Sequence, residues 1–464
     1  MKYDVICVGA GIADLMFAHR AIEHDPKLKI LVLDKGRELE QRVCPILEHK
    51  VDKCAKCKPC AIVNGISGSG AKNDGKYIIP DERSFDYGGW LSSYLPHAKV
   101  VDYIWTLDSI LSGYADREYA MYKPSQEFKQ KCLRYDLHLQ QACIRHYGSD
   151  GNYKVMKALV EDLRAKGVEI QAGFDVGKVD ISEKKVYDAD GKRSYEFDKL
   201  ILGIGRTGSN WLTDFCRENN ISLLNNKVDI GVRVEIPSDI CTDVAEGIYE
   251  PKIYYRTKQY GDLVRTFCWN NGDARVCVEN NDGILSVNGY SNSSSGASTG
   301  NSNFALLSSI NFTTPFDDPT RYVRYVAALS NMVSGNNVLV QRFGDLIGGK
   351  RTNAHRLSQS NTVPTLDTAV AGDISLALPK RTLDNIIEMI YALDNVIKGM
   401  ANYDTLLYSP EIKMYSARPS FINDRFEIAP DIFAAGDGAG VTRSLSQAGA
   451  MGLYIADCLF GSEA

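Results

Sequence analysis

The N-terminal residues combine two short apolar runs with a helical pattern between them. Residues 3–8 (Tyr-Asp-Val-Ile-Cys-Val) and 29–34 (Lys-Ile-Leu-Val-Leu-Asp) are apolar and rich in β-branched side chains, which predicts two buried parallel strands. Residues 12–24 repeat apolar side chains at helical spacing, and Gly9-Ala10-Gly11 forms the turn before them. The chain therefore begins with a predicted strand–helix–strand unit, the building block of α/β folds.

The next part of the chain changes from irregular to regular patterning. Residues 36–100 are rich in Gly, Cys and Pro, and a connection this long without regular structure usually has a function. Residues 151–167 carry apolar side chains on one helical face, and Gly167 is suited to end that helix. Short apolar runs at 168–170 and 197–204 predict two further strands.

The pattern then becomes β-rich up to about residue 409 and returns to the α/β type afterwards. Alternating apolar and polar positions predict strands at 228–234, 264–269 and 274–279. The Ser-, Gly- and Asn-rich stretch 288–303 has the composition of a flexible loop, and residues 381–401 have a helical period. A buried run at 431–437 and a helix near 446–460 end the chain.

Composition places the chain among soluble globular proteins. Its 464 residues exceed one ordinary core, so we expect two or three lobes. Hydrophobic residues make up 44% and charged residues 24%, and the net charge of −5 does not favour a polyanion-binding protein. The sequence contains no apolar run long enough to span a bilayer and no signal-peptide pattern at its start, so we expect a cytoplasmic protein.

The first chemical motif is the turn after the first predicted strand. Gly9 permits a tight turn, and Gly11 lets the backbone approach a pyrophosphate at the N-terminus of the following helix. Asp34, at the end of the second strand, can accept hydrogen bonds from the two ribose hydroxyls. The predicted dinucleotide contacts in this region are Gly9, Gly11, Ile12, Ala13, Asp34 and Lys35.

One residue departs from this dinucleotide fingerprint. The third glycine of the pattern, which normally allows close helix–strand packing, is replaced by Asp14. A carboxylate at this position can loosen the packing or weaken cofactor binding through its negative charge.

The second motif lies near the C-terminus. The run Ile432-Phe433-Ala434-Ala435-Gly436-Asp437 resembles the second FAD motif of glutathione-reductase-type flavoproteins. The resemblance implies that Asp437 contacts the ribityl chain and that Gly436 and Gly438 approach the pyrophosphate. It also implies that the helix beginning near Gln447, Ala448 and Gly449 directs its positive end at the flavin, which would stabilise negative charge on the reduced ring.

A third glycine pattern, Gly203-Ile204-Gly205-Arg206-Thr207-Gly208, follows the predicted strand 197–204. It is consistent with a separate NAD(P)H site, with Arg206 near a phosphate. It is also consistent with the return strand of the FAD domain, with Gly203 and Gly205 near the cofactor. We favour the return strand, because no acidic or basic residue ends a following strand at the usual distance.

Four cysteines lie in the irregular segment, at Cys44, Cys54, Cys57 and Cys60. Two successive two-residue gaps allow thiols to converge on one metal, so a 4Fe-4S cluster and a structural zinc are both open. Free or redox-active thiols are the third alternative. The loop that follows carries Gly68, Gly70 and Ala71, and its glycines would let the backbone approach a flat ring or a phosphate.

These segments together resemble a group of uncharacterised bacterial FAD-dependent dehydrogenases related to glutathione-reductase-type flavoproteins. The resemblance runs through Arg42-Val43-Cys44-Pro45, the three-cysteine run, Gly68-Ser69-Gly70-Ala71 and Gly436-Asp437-Gly438-Ala439-Gly440. It adds Arg42 to the expected cofactor residues. Asp14, Ser67 and Ser69 are departures from the pattern.

The sequence thus predicts an α/β fold with a Rossmann-type, glutathione-reductase-like FAD domain and an inserted β-rich domain. The FAD domain would comprise residues 1–210 and 411–464, with 36–100 near the flavin, and residues 211–410 would form the substrate or cap domain. We expect an FAD-dependent oxidoreductase that binds a small-molecule substrate between the two domains, with NAD(P)H as one available electron donor. A flavin enzyme that modifies a nucleic-acid base, and a non-catalytic redox sensor or scaffold, are the alternatives.

Overall fold

A computed structural model gives the fold of the chain in two units. Of residues 1–461, the structure describes all except 46, 47, 49, 51–56, 73, 74, 81–88, 141, 243, 245–247, 249, 273, 282, 292–298, 314 and 317. The first unit comprises Met1–Tyr122, Gln141–Leu224 and Ser416–Ala464, and the second comprises Lys123–Gln140 and Asn225–Tyr415. Among the described residues, no helix has the length and apolarity needed to cross a membrane.

The first unit is built on a mostly parallel sheet, as the sequence predicts. In sheet order its central strands are Glu427–Ala429, Ile432–Ala434, Ser194–Leu202, Lys2–Val8, Ile30–Asp34 and Glu169–Ala172. Neighbours among the last five run parallel, and Glu427–Ala429 is antiparallel. The carboxyl ends of the parallel strands therefore meet at one edge, which is where α/β sheets bind ligands.

Helices of the first unit share one apolar core with this sheet. The first helix, Ile12–His24, packs against the final helix, Leu445–Phe460, and both are buried over most of their length. The other helices of the unit are Leu91–Tyr94, His97–Gly113, Gly148–Ala165 and Ser209–Glu218. The helix predicted at 151–167 ends at Ala165, and Gly167 follows with a φ of +92°, the conformation expected of a terminating glycine.

Short strands complete the first unit. Val176–Asp180 and Lys185–Asp188 extend the main sheet in antiparallel fashion beside Ser194–Leu202. The remaining strands are Lys76–Pro80, Met121–Tyr122 and Ala142–His146 in one small sheet, and Leu223–Leu224 with Arg418–Pro419 in another. Single turns of 3₁₀ helix lie at Leu39–Gln41, Ser69–Lys72, Arg206–Gly208 and Asp437–Ala439.

The second unit is β-rich, as predicted for the insertion. Eight of its described strands form one sheet, in the order Val370–Ala371, Leu339–Arg342, Leu406–Lys413, Val228–Pro237, Asn301–Ile310, Leu263–Asn270, Ile253–Arg256 and Leu137–Leu139. Strands Ala274–Asn281 and Ile284–Ser291 form a separate hairpin. Helices lie at Gln126–Leu133, Pro319–Val333, Phe343–Ile347, Ala354–Ser358 and Lys380–Asp394, with 3₁₀ turns at Ser238–Cys241 and Ile374–Leu376.

The two faces of this sheet differ in chemistry. Along Val228–Pro237, Val232 and Val234 point into an apolar core that helix Lys380–Asp394 helps to cover. Because strand side chains alternate, the intervening positions carry Arg233 and Glu235 on the opposite face. That face is polar and yet buried, so its charges need partners within the protein.

The structure differs from the predicted bounds in three places. The predicted loop 288–303 is wrong at both ends, because Asn288–Ser291 pairs with Ala274–Cys277 and Asn301–Asn303 begins a central strand. The segment 36–100 is not irregular throughout, since it contains strand Lys76–Pro80 and two helix starts. Residues 123–140, which the prediction kept in the first domain, belong to the second unit, while 211–224 belong to the first.

A buried carboxylate in the second unit gives a prediction for acid stability. Asp345 accepts hydrogen bonds from Arg342 Nε (3.1 Å), Thr352 Oγ1 (2.8 Å), Arg356 Nη1 (2.8 Å) and Tyr403 OH (2.8 Å). Burial alone would raise the pKa of Asp345, but these donors outweigh it and lower the pKa to about 2. The lowered pKa corresponds to about 2.5 kcal/mol of stability, which is present above the unfolded pKa near 4 and is lost as the pH falls towards 2.

We therefore expect Asp345→Asn to remove this pH-dependent contribution. The difference in unfolding free energy between the native chain and Asp345→Asn should shrink by about 2 kcal/mol between pH 5 and pH 2. Urea unfolding at several pH values measures it, with the exposed Asp367→Asn as the control. A constant difference across that range would contradict the prediction.

Candidate functional site

Three glycine turns of the first unit meet at the carboxyl edge of its parallel sheet. Gly9 has a φ of +114°, and a Cβ there would lie 2.4 Å from the carbonyl oxygen of Gly203, so only glycine fits. A Cβ on Gly438 would lie 2.6 Å from Gly205 O, and one on Gly436 would lie 3.4 Å from the Cβ of Ala13. The turns that sequence analysis singled out separately are therefore neighbours in space.

The first helix begins at the centre of this group. Gly11 is its N-cap and adopts an extended conformation, and no side chain of the described residues caps the helix there. Ile12 and Ala13 begin the first turn of the helix, and both residues are buried. The uncapped N–H groups of such a turn, with the helix dipole, are suited to hold an anion.

Asp34 ends the second strand beside this helix. Its Oδ2 accepts a hydrogen bond from Ala10 N (3.1 Å), and its Oδ1 accepts one from Gly36 N (2.7 Å). The carboxylate is thus fixed between the backbone at Ala10 and the backbone at Gly36. Each of its oxygens retains a lone pair that can accept a further hydrogen bond. Lys35 follows it directly and is half-buried.

The glycine loop, residues 64–70, packs against the first turn. Gly68 has a φ of +61°, and a Cβ there would lie 2.9 Å from Gly11 Cα. A Cβ on Gly70 would meet Leu445 of the final helix at 2.9 Å, and Ala71 is buried next to it. The loop therefore contacts the turn at Gly11 through Gly68 and the final helix through Gly70.

Arg42 holds this loop in place. Its guanidinium donates to the carbonyl oxygens of Ala61 (3.0 Å), Ile62 (2.7 Å), Ile66 (2.7 Å) and Gly68 (2.7 Å). The side chain is buried, which lowers the pKa of Arg42. Arg42 was expected to contact the cofactor, but these four bonds make it a residue that positions the loop.

The C-terminal motif places a second carboxylate at the same edge. Asp437 accepts a hydrogen bond from Thr442 Oγ1 (2.7 Å), and Arg206 Nε lies 3.8 Å from its Oδ2. Burial raises the pKa of Asp437, and the charges of Arg206 and Arg443 act in the opposite direction.

The final helix starts with a side-chain cap. Ser444 Oγ accepts a hydrogen bond from Gln447 N (3.1 Å), and Gln447 Oε1 accepts one from Arg443 N (3.0 Å). Gln447, Ala448 and Gly449 are buried in the first turn, and a Cβ on Gly449 would lie 3.3 Å from Cγ1 of Ile12. The N-terminus of the final helix thus adjoins the first helix. One of the N–H groups of its first turn, that of Gln447, is already bonded to Ser444.

Three side chains at this edge hold buried polar atoms that lack partners among the described residues. They are both carboxyl oxygens of Asp14, the hydroxyl of Ser67 in the glycine loop, and the hydroxyl of Ser446 in the final helix. Buried polar atoms are rarely left unpaired, so such a group indicates a place where a ligand or water completes the bonds. Ser67 is one of the departures from the sequence pattern, whereas Ser446 was not among the predicted site residues, because its place in the first turn of a helix gives no sequence signal of function.

The residues gathered here fit a dinucleotide such as FAD. We call Gly9, Gly11, Gly68, Gly203 and Gly436 the glycine cradle. It brings bare backbone, an uncapped helix N-terminus and the Asp34 carboxylate to one edge of the sheet. Asp14 is the exception, because it adds a buried acid where an anion would bind.

The cysteines form no metal site among the residues that the structure describes. Cys44, Cys57 and Cys60 are free thiols, and no group of three His, Cys, Asp or Glu side chains lies close enough to hold an ion. Cys54, the fourth predicted ligand, lies outside the described residues. Cys57 is exposed and lines a small cavity together with Arg37 and Lys58.

A charged cluster on the polar sheet face of the second unit was not predicted. Arg233 donates to both oxygens of Glu411 (2.8 and 2.9 Å), to Asn303 Oδ1 (2.8 Å) and to Asn288 Oδ1 (3.1 Å). Lys413 Nζ lies 3.3 Å from Glu411. Burial would raise the pKa of Glu411, but Arg233 and Lys413 outweigh it and lower that pKa.

Comparison with known proteins adds little beyond this geometry. No protein-family model matches the chain, and no curated protein matches it by sequence. Similar solved structures include a flavoprotein/dehydrogenase from Cytophaga hutchinsonii, glycine oxidase from Bacillus cereus and L-proline dehydrogenase from P. horikoshii, at 11%, 10% and 10% identity. The alignments cover 100%, 100% and 99% of this chain and 80%, 96% and 93% of those chains, with TM-scores of 0.37, 0.38 and 0.39.

Proposed function

We propose that this chain is an FAD-dependent oxidoreductase. The observation that carries the proposal is the glycine cradle beside Asp34, at the carboxyl edge of a parallel sheet. The first unit (Met1–Tyr122, Gln141–Leu224 and Ser416–Ala464) would bind FAD, and the second unit (Lys123–Gln140 and Asn225–Tyr415) would serve the substrate. Bound FAD supplies reversible two-electron redox chemistry, while the protein binds it, orients the substrate and excludes water.

Each part of the cradle has a role in this proposal. The N–H groups at Gly11, Ile12 and Ala13 would hold the pyrophosphate, because an uncapped helix N-terminus attracts anions. Asp34 would accept hydrogen bonds from the adenosine ribose. Asp437 distinguishes FAD from NAD here, because a second acid and glycine motif at the same edge suits the ribityl and flavin portion of a longer cofactor.

The finer parts of the proposal rest on the sequence. Resemblance supports membership of the uncharacterised bacterial FAD-dependent dehydrogenases, a small-molecule substrate, and NAD(P)H as an available donor. Strand Ser194–Leu202 pairs with the first strand, so Gly203 and Gly205 follow a strand of the same sheet rather than one of a separate nucleotide-binding sheet. An iron–sulfur or zinc centre at Cys44, Cys54, Cys57 and Cys60 remains a hypothesis from spacing alone.

Reconstitution with FAD tests the proposal. The purified chain should show flavin absorption, or its apoprotein should quench the fluorescence of added FAD with one-to-one stoichiometry. Asp34→Asn should weaken FAD binding about tenfold, because an amide offers one acceptor where the carboxylate offers two. The matched control is Asp190→Asn, whose carboxylate is 73% exposed.

Two results would contradict the proposal. A chain that neither retains nor binds FAD is not a flavoprotein. An Asp34→Asn chain that binds FAD as tightly as the Asp190→Asn chain would show that the cofactor lies elsewhere.

A further inference from the structure

Asp14 is the residue of the cradle that a dinucleotide site explains least. It is the third residue of the first helix and it is fully buried. The backbone N–H groups of Asp14, Gly11 and Gly203 lie near its carboxyl oxygens, but no donor of the described residues makes a well-formed hydrogen bond to them. Burying an ionised carboxylate without a partner costs several kcal/mol or more, which a protein normally avoids by neutralising the group. A residue this costly at a ligand-binding turn calls for a role.

The carboxyl group lies inside the turn rather than on its surface. Its oxygens are 2.1 and 2.2 Å from the place where a Cβ on Gly203 would stand, and one of them is 3.0 Å from the corresponding place on Gly9. Asp14 therefore fills the space between the first turn and the end of strand Ser194–Leu202. A side chain at position 203 would collide with the Asp14 carboxyl group, so this position requires glycine.

The charges that face Asp14 do not favour its ionised form. Asp34 on the second strand is the charged group that acts on it most, and Cys7 on the first strand is a buried thiol whose pKa is raised first by burial and then by Asp14. Gly203, at the end of strand Ser194–Leu202, also lies against the carboxyl group. Burial first, and Asp34 second, raise the pKa of Asp14 well above its usual value, and the nearby N–H groups of Asp14, Gly11 and Gly203 oppose the shift only in part.

The same N–H groups connect Asp14 to ligand binding. Gly11 and the first helical turn are the donors that a pyrophosphate would use under the proposed function. An ionised Asp14 would compete for these donors and would repel the incoming negative charge at short range in a buried site. A protonated Asp14 would do neither.

We propose that Asp14 takes up a proton from solvent when the dinucleotide binds, so that cofactor binding at this turn is coupled to proton uptake. The inference rests on the proposed function, since it needs a dinucleotide at the cradle. Asp14 acts as a positioning residue that tunes cofactor affinity, and it does not take part in the redox step.

Linkage fixes the sign and size of the effect. The bound cofactor raises the proton affinity of Asp14 further, so uptake begins as the pH rises through the titration of Asp14 in the apoprotein. In that window FAD affinity should fall by up to about tenfold per pH unit, and proton uptake should approach one per FAD. Below the window both states are protonated, and uptake should vanish.

Isothermal titration of FAD into the full-length apoprotein measures this directly. At each pH from 6 to 9.5 the titration is repeated in two buffers of different ionisation enthalpy, and the difference gives the protons taken up. Asp14→Asn is the main variant, because it keeps the shape of the carboxyl group and cannot titrate. It should show less uptake than the native chain by up to one proton, and its affinity should be flatter with pH.

A second variant tests which carboxyl group accepts the proton. Asp437 is a half-buried acid of the same site whose pKa is also raised, so Asp437→Asn is the matched comparison. We expect it to keep the pH-dependent uptake. Uptake that disappears in Asp437→Asn and persists in Asp14→Asn would overturn the proposal and assign the proton to Asp437.

The other outcomes separate this inference from the proposed function. Equal proton uptake by the native and Asp14→Asn chains, with FAD bound in both, overturns the inference and leaves the proposed function intact. Absence of FAD binding at every pH overturns both. If Asp14→Asn does not fold, Asp14→Gly restores the usual fingerprint residue and should show the same loss of pH dependence together with tighter FAD retention.

Discussion

Replacing Arg42 by Met is expected to release the glycine loop of the first unit and to lower FAD retention severely. Arg42 Nη1 bonds Ile66 O and Gly68 O at 2.7 Å each, and the side chain is 2% exposed. Removing these donors leaves buried carbonyl oxygens without partners, at about 1–3 kcal/mol each. We expect the loss to total about 3 kcal/mol, or about 10 °C in the melting temperature of the first unit.

The effect on the cofactor follows from the same contacts. Gly68 packs against Gly11, so a loop that is no longer held would not keep its place beside the first turn. Flavin absorbance per chain after gel filtration and thermal melting by circular dichroism measure the two effects. Arg42→Lys should be intermediate, because lysine keeps the charge but has fewer donors in a different geometry.

A nearby arginine provides the control. Arg37 lies close in sequence and is exposed, so Arg37→Met should leave both the melting temperature and the flavin content nearly unchanged. If Arg42→Met behaves like Arg37→Met, the four hydrogen bonds do not organise the loop and the role assigned to Arg42 is wrong.

The parts of the fold that the sequence predicted are those encoded by adjacent residues. The strand at residues 3–8, the turn at Gly9 and the helix at 12–24 follow from short-range apolar spacing, and the structure places them within a residue of the prediction. Short-range signals suffice here because a βαβ unit is formed by consecutive segments. The position of Gly203 and Gly436 near the first turn could also be predicted, because the carboxyl ends of parallel strands lie at the same edge of a sheet.

The errors arose where distant residues decide the local structure. Asn288–Ser291 has the composition of a loop, yet pairing with Ala274–Cys277 makes it a strand. Leu137–Leu139 joins the second unit because it pairs with Ile253 and its neighbours across more than a hundred residues of sequence. Strand propensity depends on such partners, so composition alone could not reveal either result.

The candidate site shows the same division. The glycines and Asp34 could be predicted from spacing, because the role proposed for each depends on its own backbone or on its place at a strand end. Arg42 was associated with the cofactor by resemblance, but its four carbonyl partners lie 19 to 26 residues away and are visible only in the structure. The burial of Asp14 depends on Gly203, which no local pattern connects to it.

The largest loss of stability is expected from Arg233→Met in the second unit. Arg233 and Glu411 are both fully buried, and removing the arginine would leave Glu411 with Lys413 as its remaining cation. Breaking a buried ion pair by removing one partner typically costs about 3–5 kcal/mol, because the other charge stays buried without compensation. Asn303 and Asn288 would also lose the donor that their side-chain oxygens accept from.

Urea unfolding of the second unit, followed by circular dichroism, measures this cost. Arg381→Met is the matched control, because Arg381 pairs with Asp262 at 2.6 Å but is 60% exposed, and exposed pairs contribute at most about 1 kcal/mol. The triple variant Arg233→Met/Glu411→Met/Lys413→Met should be less destabilised than Arg233→Met alone, since it removes the buried charges of Arg233 and Glu411 together with the lysine that Glu411 compensates. If the triple variant is the less stable of the two, the cost comes from lost packing around these side chains, and the buried charge of Glu411 is not its cause.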